Sequence, residues 1–135
     1  MAIQLSVAVR NARLDTIEST ISTAPILEIR SGAQPANCAA ADSGTLLASM
    51  TLPSDWMGNA AAGAKALAGS WTDASANNTG TAAHFRIKDS SGTTCHMQGS
   101  VSATGGGGDI ELNNTSIASG QPVTITAFTL TDANA

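Results

Sequence analysis

Apolar side chains recur through residues 5–22 at helical spacing. Val7, Leu14, Ile17 and Ile21 are separated by seven, three and four positions, which places them on one face of a helix. Ser6 is placed to accept the first free N–H groups of that helix, and Arg10, Arg13, Asp15 and Glu18 take the remaining surface. Pro25 forbids continuation and pushes its neighbour to an extended conformation. The helix is either a docking arm or a lid packed over one end of its own sheet. Periodicity alone does not separate the two.

After Pro25 the period changes from helical to alternating. Residues 26–30 form a short strand closed by Ser31-Gly32, and residues 32–44, rich in Gly, Ala, Asn and Pro, read as a long loop. Residues 45–52 form a strand stopped by Pro53, and residues 53–63 are irregular. Residues 65–72 alternate weakly, and residues 73–80 are a polar turn region. The clearest pair is 83–88 with 94–98, joined by the turn cluster Asp89-Ser90-Ser91-Gly92. Pairing Phe85 with Met97 and Ile87 with Cys95 puts the apolar side chains together. His84, Arg86, Lys88, His96 and Gln98 then share the opposite face, which is predicted to meet solvent or an interface.

Residues 99–103 prolong the second hairpin strand, the glycines 105–108 read as a flexible connector, and 110–112 form a short strand. Residues 123–131 form the longest alternating run. Phe128 falls out of parity with Val123, which predicts a bulge or a second buried face. The whole predicts a mainly β chain: an N-terminal helical segment at 1–24, then one β-sandwich or jelly-roll-like domain at 25–135 with about seven short strands. No internal repeat is visible.

Composition sharpens this picture. Ala, Gly, Ser and Thr make up about half of the 135 residues, with two Trp, two Phe and no Tyr. A core built mainly of small side chains removes little apolar area from water, so a partner surface would help. This favours a homo-oligomer or a protein docked on a larger assembly. Six basic against ten acidic residues give no electrostatic footprint for nucleic acid. No apolar run approaches the roughly 18 residues of a membrane span, and the first ten residues lack the pattern of a secretory signal. Cys38 and Cys95 read as reduced thiols, Cys95 as a small core residue; a disulfide between them has no support from the pattern.

Candidate chemistry is sparse. His84 and His96 with nearby Asp89 lack a third well-placed ligand, so no metal or cofactor is expected. Cys95 and His96 point to opposite sides of a regular strand. No serine sits in a Gly-x-Ser-x-Gly elbow, and the glycine run lacks the Lys-Ser/Thr ending of a phosphate loop. The Asn-x-Thr/Ser triplets at 77–79, 113–115 and 114–116 are expected by chance in a chain rich in Asn and Thr. Trp56 with Met57 is either a contact surface or, as the balance of area favours, a core anchor. No nucleophile–base pair or carboxylate pair stands at a telling spacing, and the chain reads as a non-enzyme.

Several segments resemble small structural proteins of tailed bacteriophages and prophages. They are Ser6-Val7-Ala8-Val9-Arg10-Asn11-Ala12-Arg13-Leu14-Asp15, Ala24-Pro25-Ile26-Leu27-Glu28-Ile29-Arg30-Ser31-Gly32, Leu52-Pro53-Ser54-Asp55-Trp56-Met57 and His84-Phe85-Arg86-Ile87-Lys88-Asp89, together with the ending Ser116-Ile117-Ala118-Ser119-Gly120-Gln121-Pro122-Val123-Thr124-Ile125. The resemblance spans nearly the whole chain, and its motifs specify a family, not a reaction. It implies a virion protein assembled in the host bacterial cytoplasm, most simply a capsid decoration (cement) protein. Its partners would be the major capsid protein, other virion proteins and further copies of itself, with no nucleic acid or membrane. The alternative is a tail-associated or receptor-binding module that takes host glycan through Trp56, Trp71 and the loop at 73–80. Interface candidates are Val7, Arg10, Leu14, Ile17, Trp56, Met57, His84, Arg86 and His96, together with strand edges open to strand addition.

Overall fold

A computed structural model describes residues 3–134. The chain is mainly β, with 37% of residues in strands and 11% in helix. One helix, α1 (Val7–Ile21), precedes ten strands: β1 (Ile26–Arg30), β2 (Leu46–Thr51), β3 (Ala64–Ala66), β4 (Thr72–Asp73), β5 (Gly80–Thr81), β6 (His84–Lys88), β7 (Cys95–Ala103), β8 (Ile110–Leu112), β9 (Ser116–Ile117) and β10 (Val123–Thr131). Eight strands form one mixed sheet in the order β2-β1-β6-β7-β8-β10-β3, with β4 also pairing on β10, and β5 and β9 make a separate ribbon.

The sheet rolls up on itself. β3 and β4 pair with opposite ends of β10. The segment that begins with β4 then reaches the far end of the sheet, where Asp73 Oδ2 accepts from the Ser49 N–H of β2 at 3.0 Å and Asn77 N–H donates to Leu47 O at 2.7 Å. Parts of both outer edges are therefore covered. On β3 the cover is Gly58 N–H on Ala66 O and a reciprocal pair between Ala61 and Ala64.

Inside the roll lie all the aromatics of the chain. Trp56, Trp71, Phe128 and Phe85 stack in series with ring centroids 5.9, 5.4 and 5.9 Å apart. Each such pair adds about 0.5–1.5 kcal/mol beyond area burial. Both indole N–H groups are satisfied: Trp71 Nε1 donates to Trp56 O and Ala68 O, and Trp56 Nε1 donates to Ser22 O at the end of α1. Leu27, Ile29, Ile87, Ile110 and Leu112 complete this core, each essentially inaccessible. Trp56 is thus the anchor that area considerations favour, and neither tryptophan offers an exposed ring.

The helix takes the lid reading. Ser6 caps it as expected, its hydroxyl accepting from Val9 N–H. Leu14 and Ile21 are buried and Ile17 packs partly on the core, while Val7 at the same phase remains exposed. The stripe outruns the sheet by one heptad. Lys65 of β3, whose side chain is 2% exposed, holds the helix from below through Asp15 Oδ1 at 2.7 Å and Glu18 Oε2 at 2.8 Å. Burial works against the Lys65 charge, but these two carboxylates outweigh it and hold its pKa above the ordinary value of 10.5.

The hairpin register differs from the predicted one, and the bulge expected near Phe128 is present. Phe85 pairs with Gly99, not Met97; Ile87 pairs with Met97; Lys88 pairs with Cys95. The shift leaves His96 as an extra residue, which moves Cys95 onto the polar face and His96 off it. In β10 the register shifts between Ile125 and Ala127, and this restores Phe128 to the buried side as its parity required. The glycine run is an ordered turn, not a loose tether. Gly108 N–H donates to Ser102 Oγ at 2.9 Å, and a Cβ on Gly108 would stand 2.6 Å from the Ser102 nitrogen. This close return lets β8 lie parallel to β7 after a very short connection.

Replacing Lys65 by Met is expected to cost about 2–3 kcal/mol, because two carboxylates lose their shared cation. A urea melt should show this loss, and hydrogen exchange should show α1 opening ahead of the sheet.

Candidate functional site

The feature that chemistry would notice lies on the outer face of β1 and β6. Alternation sends Leu27, Ile29, Phe85 and Ile87 inward, so Glu28, Arg30, His84, Arg86 and Lys88 point outward. These outward groups do not meet solvent, which corrects the prediction for this face. Arg86 and His84 are each 1% exposed and Lys88 is 7% exposed. The cover is the long loop between β1 and β2, which folds back over the sheet.

Arg86 is the fixed point of that cover. Its Nη1 donates to Ala40 O at 3.0 Å and to Asp42 Oδ1 at 2.8 Å, and its Nη2 donates to Cys38 O at 2.8 Å. Its Nε donates to Cys95 Sγ at 3.2 Å. Asp42 also takes Lys88 Nζ at 2.6 Å and Arg30 Nη2 at 3.0 Å. Glu28 completes the group, bonded to Arg30 Nε at 2.9 Å and to Lys88 Nζ at 3.2 Å. Three cations thus share two carboxylates, and the third cation turns to sulfur. Further along the loop, Gln98 Nε2 donates to Pro35 O at 2.8 Å, and His84 Nδ1 stands 3.0 Å from Gly32 O. A carbonyl only accepts, so His84 carries its proton on Nδ1. The loop is closed by Ser31 and Gly44. Gly44 has φ +68°, and a Cβ there would overlap the Ser31 carbonyl oxygen.

The electrostatics follow from this crowding. Burial pushes the Asp42 carboxyl up, but the Lys88 hydrogen bond and the charges of Arg30, Lys88 and Arg86 outweigh it and hold the group below its ordinary 3.8. Burial pushes the Cys38 thiol up, and its neighbour Cys95 adds to this, taking it to about 11. A cleft of about 670 Å³ opens between loop and sheet, lined by Cys38, Asp42, Arg86, Lys88, Thr94 and Cys95 among others.

A second concavity runs beside α1. About 530 Å³ lies between Arg13, Leu14 and Ile17 of the helix and residues 131–134, and a smaller hollow beside Ile17 and Ile21 reaches His96. Arg10 is turned inward, with Nη1 donating to Asp132 O at 3.1 Å, and Arg13 pairs with the Asp132 carboxylate at 3.1 Å.

The nine interface candidates therefore scatter. Leu14, Trp56, Met57, His84 and Arg86 are consumed by the interior of the chain. Arg10 and Ile17 are half-buried, while Val7 and His96 stay at the surface. His84 and His96 lie on opposite sides of the hairpin, so they share no ligand. Among the described residues no group of three or more His, Cys, Asp or Glu could hold a metal ion. The residues missed from sequence are Cys38, Asp42 and Glu28. Their signal was Glu28 and Arg30 alternating on the strand next to Arg86 and Lys88. Compared with protein-family models, curated proteins and solved structures, the chain matches none.

Arg86→Ala is expected to cost about 3 kcal/mol, since it strips two carbonyls and a carboxylate of their donor. Hydrogen exchange and limited proteolysis should rise in residues 32–44 while the sheet stays protected. Acid should act through Asp42. A carboxyl held below 3.8 in the folded chain contributes fully above that value and loses its contribution as pH falls through the folded value. Melting temperature should fall below about pH 4, and Asp42→Asn should flatten that fall while lowering stability near neutral pH by about 2 kcal/mol, the exposed side of the carboxylate being screened.

Proposed function

We propose that this chain is a bacteriophage virion structural protein of the capsid-decoration type. It binds the outside of the head as an oligomer and joins neighbouring shell subunits. The resemblance of five segments to small phage and prophage structural proteins supports the family. The observation that carries the docking role is the distribution of exposed apolar groups. Ile3, Val7 and Val9 are 82%, 49% and 47% exposed, and they are the exposed large hydrophobics of the described residues. All three sit at the amino end of a helix braced against the sheet. Val7 and Val9, two positions apart, lie on different sides of α1, so these groups surround the helix end, and a partner that encloses this end would cover them.

The occupant that fits is a neutral, apolar groove on the assembled shell. All six basic side chains of the chain are already engaged: Arg13, Arg30, Lys65, Arg86 and Lys88 in ion pairs, and Arg10 on Asp132 O. Little cationic surface is left to seek an anionic partner. A decoration protein that binds the assembled shell and not the free subunit stabilises the shell by mass action. The chain itself needs only a rigid frame and one adhesive end. The glycan-binding alternative is weakened, because Trp56 and Trp71 are buried and offer no stacking platform.

Electron microscopy of the particle that carries this chain should show density repeating over the head lattice. Density confined to the neck or tail would overturn the head reading and favour attachment, and absence from the particle would overturn the virion reading. A double variant, Val7→Asp with Val9→Asp, should fold with near-normal stability and lose tenfold or more of its binding to undecorated heads. Retained binding would place the contact elsewhere.

A further inference from the structure

The cleft under the loop brings together the chain's two cysteines, 57 positions apart in sequence. Cys38 sits on the cover and Cys95 begins β7 on the sheet beneath it. One guanidinium holds both residues. Arg86 donates through Nη2 to the Cys38 carbonyl at 2.8 Å and through Nε to the Cys95 sulfur at 3.2 Å. Both thiols are free and partly exposed at the cleft wall, so a small oxidant can reach them. The register bulge is what makes this meeting. With the register of Ile87 and Met97 continued unbroken, Lys88 would pair with His96, and Cys95 would fall on the inner side, turned away from the loop.

We propose that Cys38 and Cys95 are a disulfide latch, closed by thiol–disulfide exchange with a small-molecule disulfide and opened by small thiols. The Cys95 thiol, whose sulfur already receives the Arg86 N–H, gives up its proton to the alkaline buffer and attacks one sulfur of oxidised glutathione. The glutathione disulfide bond breaks, and the first glutathione leaves as a thiolate that takes up a proton. Cys38 then gives up its proton, and its sulfur attacks Cys95 Sγ of the mixed disulfide. The second glutathione leaves with the electron pair of that bond. Two protein thiols and one small disulfide become one protein disulfide and two small thiols, so electrons and protons balance. Cys38 resolves and does not attack first because burial and its neighbour keep its proton on.

Closure turns a hydrogen-bonded cover into a covalent one. The segment it encloses runs from the loop through β2 to β7 and takes in half of the sheet. A bridge over so long a segment constrains the unfolded chain strongly, and a rise in melting temperature of roughly 10 °C is expected.

The test is incubation of the full-length protein with oxidised glutathione in mildly alkaline buffer, read by intact mass, thiol titration and melting temperature. The latch predicts loss of both thiols, a mass lower by two hydrogens with no glutathione attached, a monomer on a non-reducing gel and a higher melting temperature. Cys38→Ser should stop at a glutathione adduct on Cys95, with no rise in melting temperature. Arrest of the wild type at glutathione adducts, retention of both thiols, disulfide-linked dimers, or an internal bridge that lowers the melting temperature would each overturn the proposal. Since serine is close to cysteine in size and both sites are partly exposed, the single variants should fold, and the unoxidised wild type provides the reference melt.

Discussion

A guanidinium placed on the outer face of a sheet needs partners away from water, and the Arg86 side chain draws the rest of the outer layer around itself. Removing such a charge from water costs several kcal/mol, and its attractions repay that only with good geometry. Here the partners come from three directions: two loop carbonyls, the Asp42 carboxylate and a sulfur from the next strand. The two carbonyls decide the path of the loop, because residues 38 and 40 must both turn their oxygens to the same group. A loop rich in Ala, Gly, Asn and Pro has no large apolar side chains with which to define a path of its own. The cation defines it instead.

The same device recurs at the other attachments. The helix is fixed by Lys65 between two of its carboxylates and by the Trp56 indole on its last turn. The sheet edge at β2 is closed by the Asp73 carboxylate accepting from a strand N–H. A chain with two Trp, two Phe and about half of its residues Ala, Gly, Ser or Thr can fill one core but not a second apolar layer. It spends its few large rings inside the roll. Its few charges fasten the segments that lie outside it. Directional pairs suit that task, since each fixes a position as well as a distance, whereas burial alone would leave small side chains free to slide.

This division of labour explains what the sequence revealed. The helix, β1, the hairpin and the Phe128 bulge were legible because apolar periodicity reports which side of an element faces the core. Periodicity cannot say what meets the other side. Water and a polar loop look the same to it, so the Arg86 face read as exposed. The His96 bulge was hidden for a related reason. Cys95 and Met97 both pass as apolar, and a slip of one residue exchanges Cys95 with His96 at no cost to the visible pattern. Asp42 sits in a loop with no pattern at all. Only its complementarity to the alternating charges of β1 and β6 could have placed it, and that requires knowing that the two strands are neighbours.

The surface that remains follows from these commitments. The cations are drawn into internal bonds, and parts of the two outer sheet edges are covered by the chain's own segments. At the end of α1 the apolar stripe continues past the sheet that it packs on. Val7 belongs to the same face as Leu14 and Ile21, yet it stays 49% exposed. The helix is therefore one heptad longer than its own core requires. That excess is a feature that the packing of the fold does not use, and it is the observation on which the proposed docking role rests.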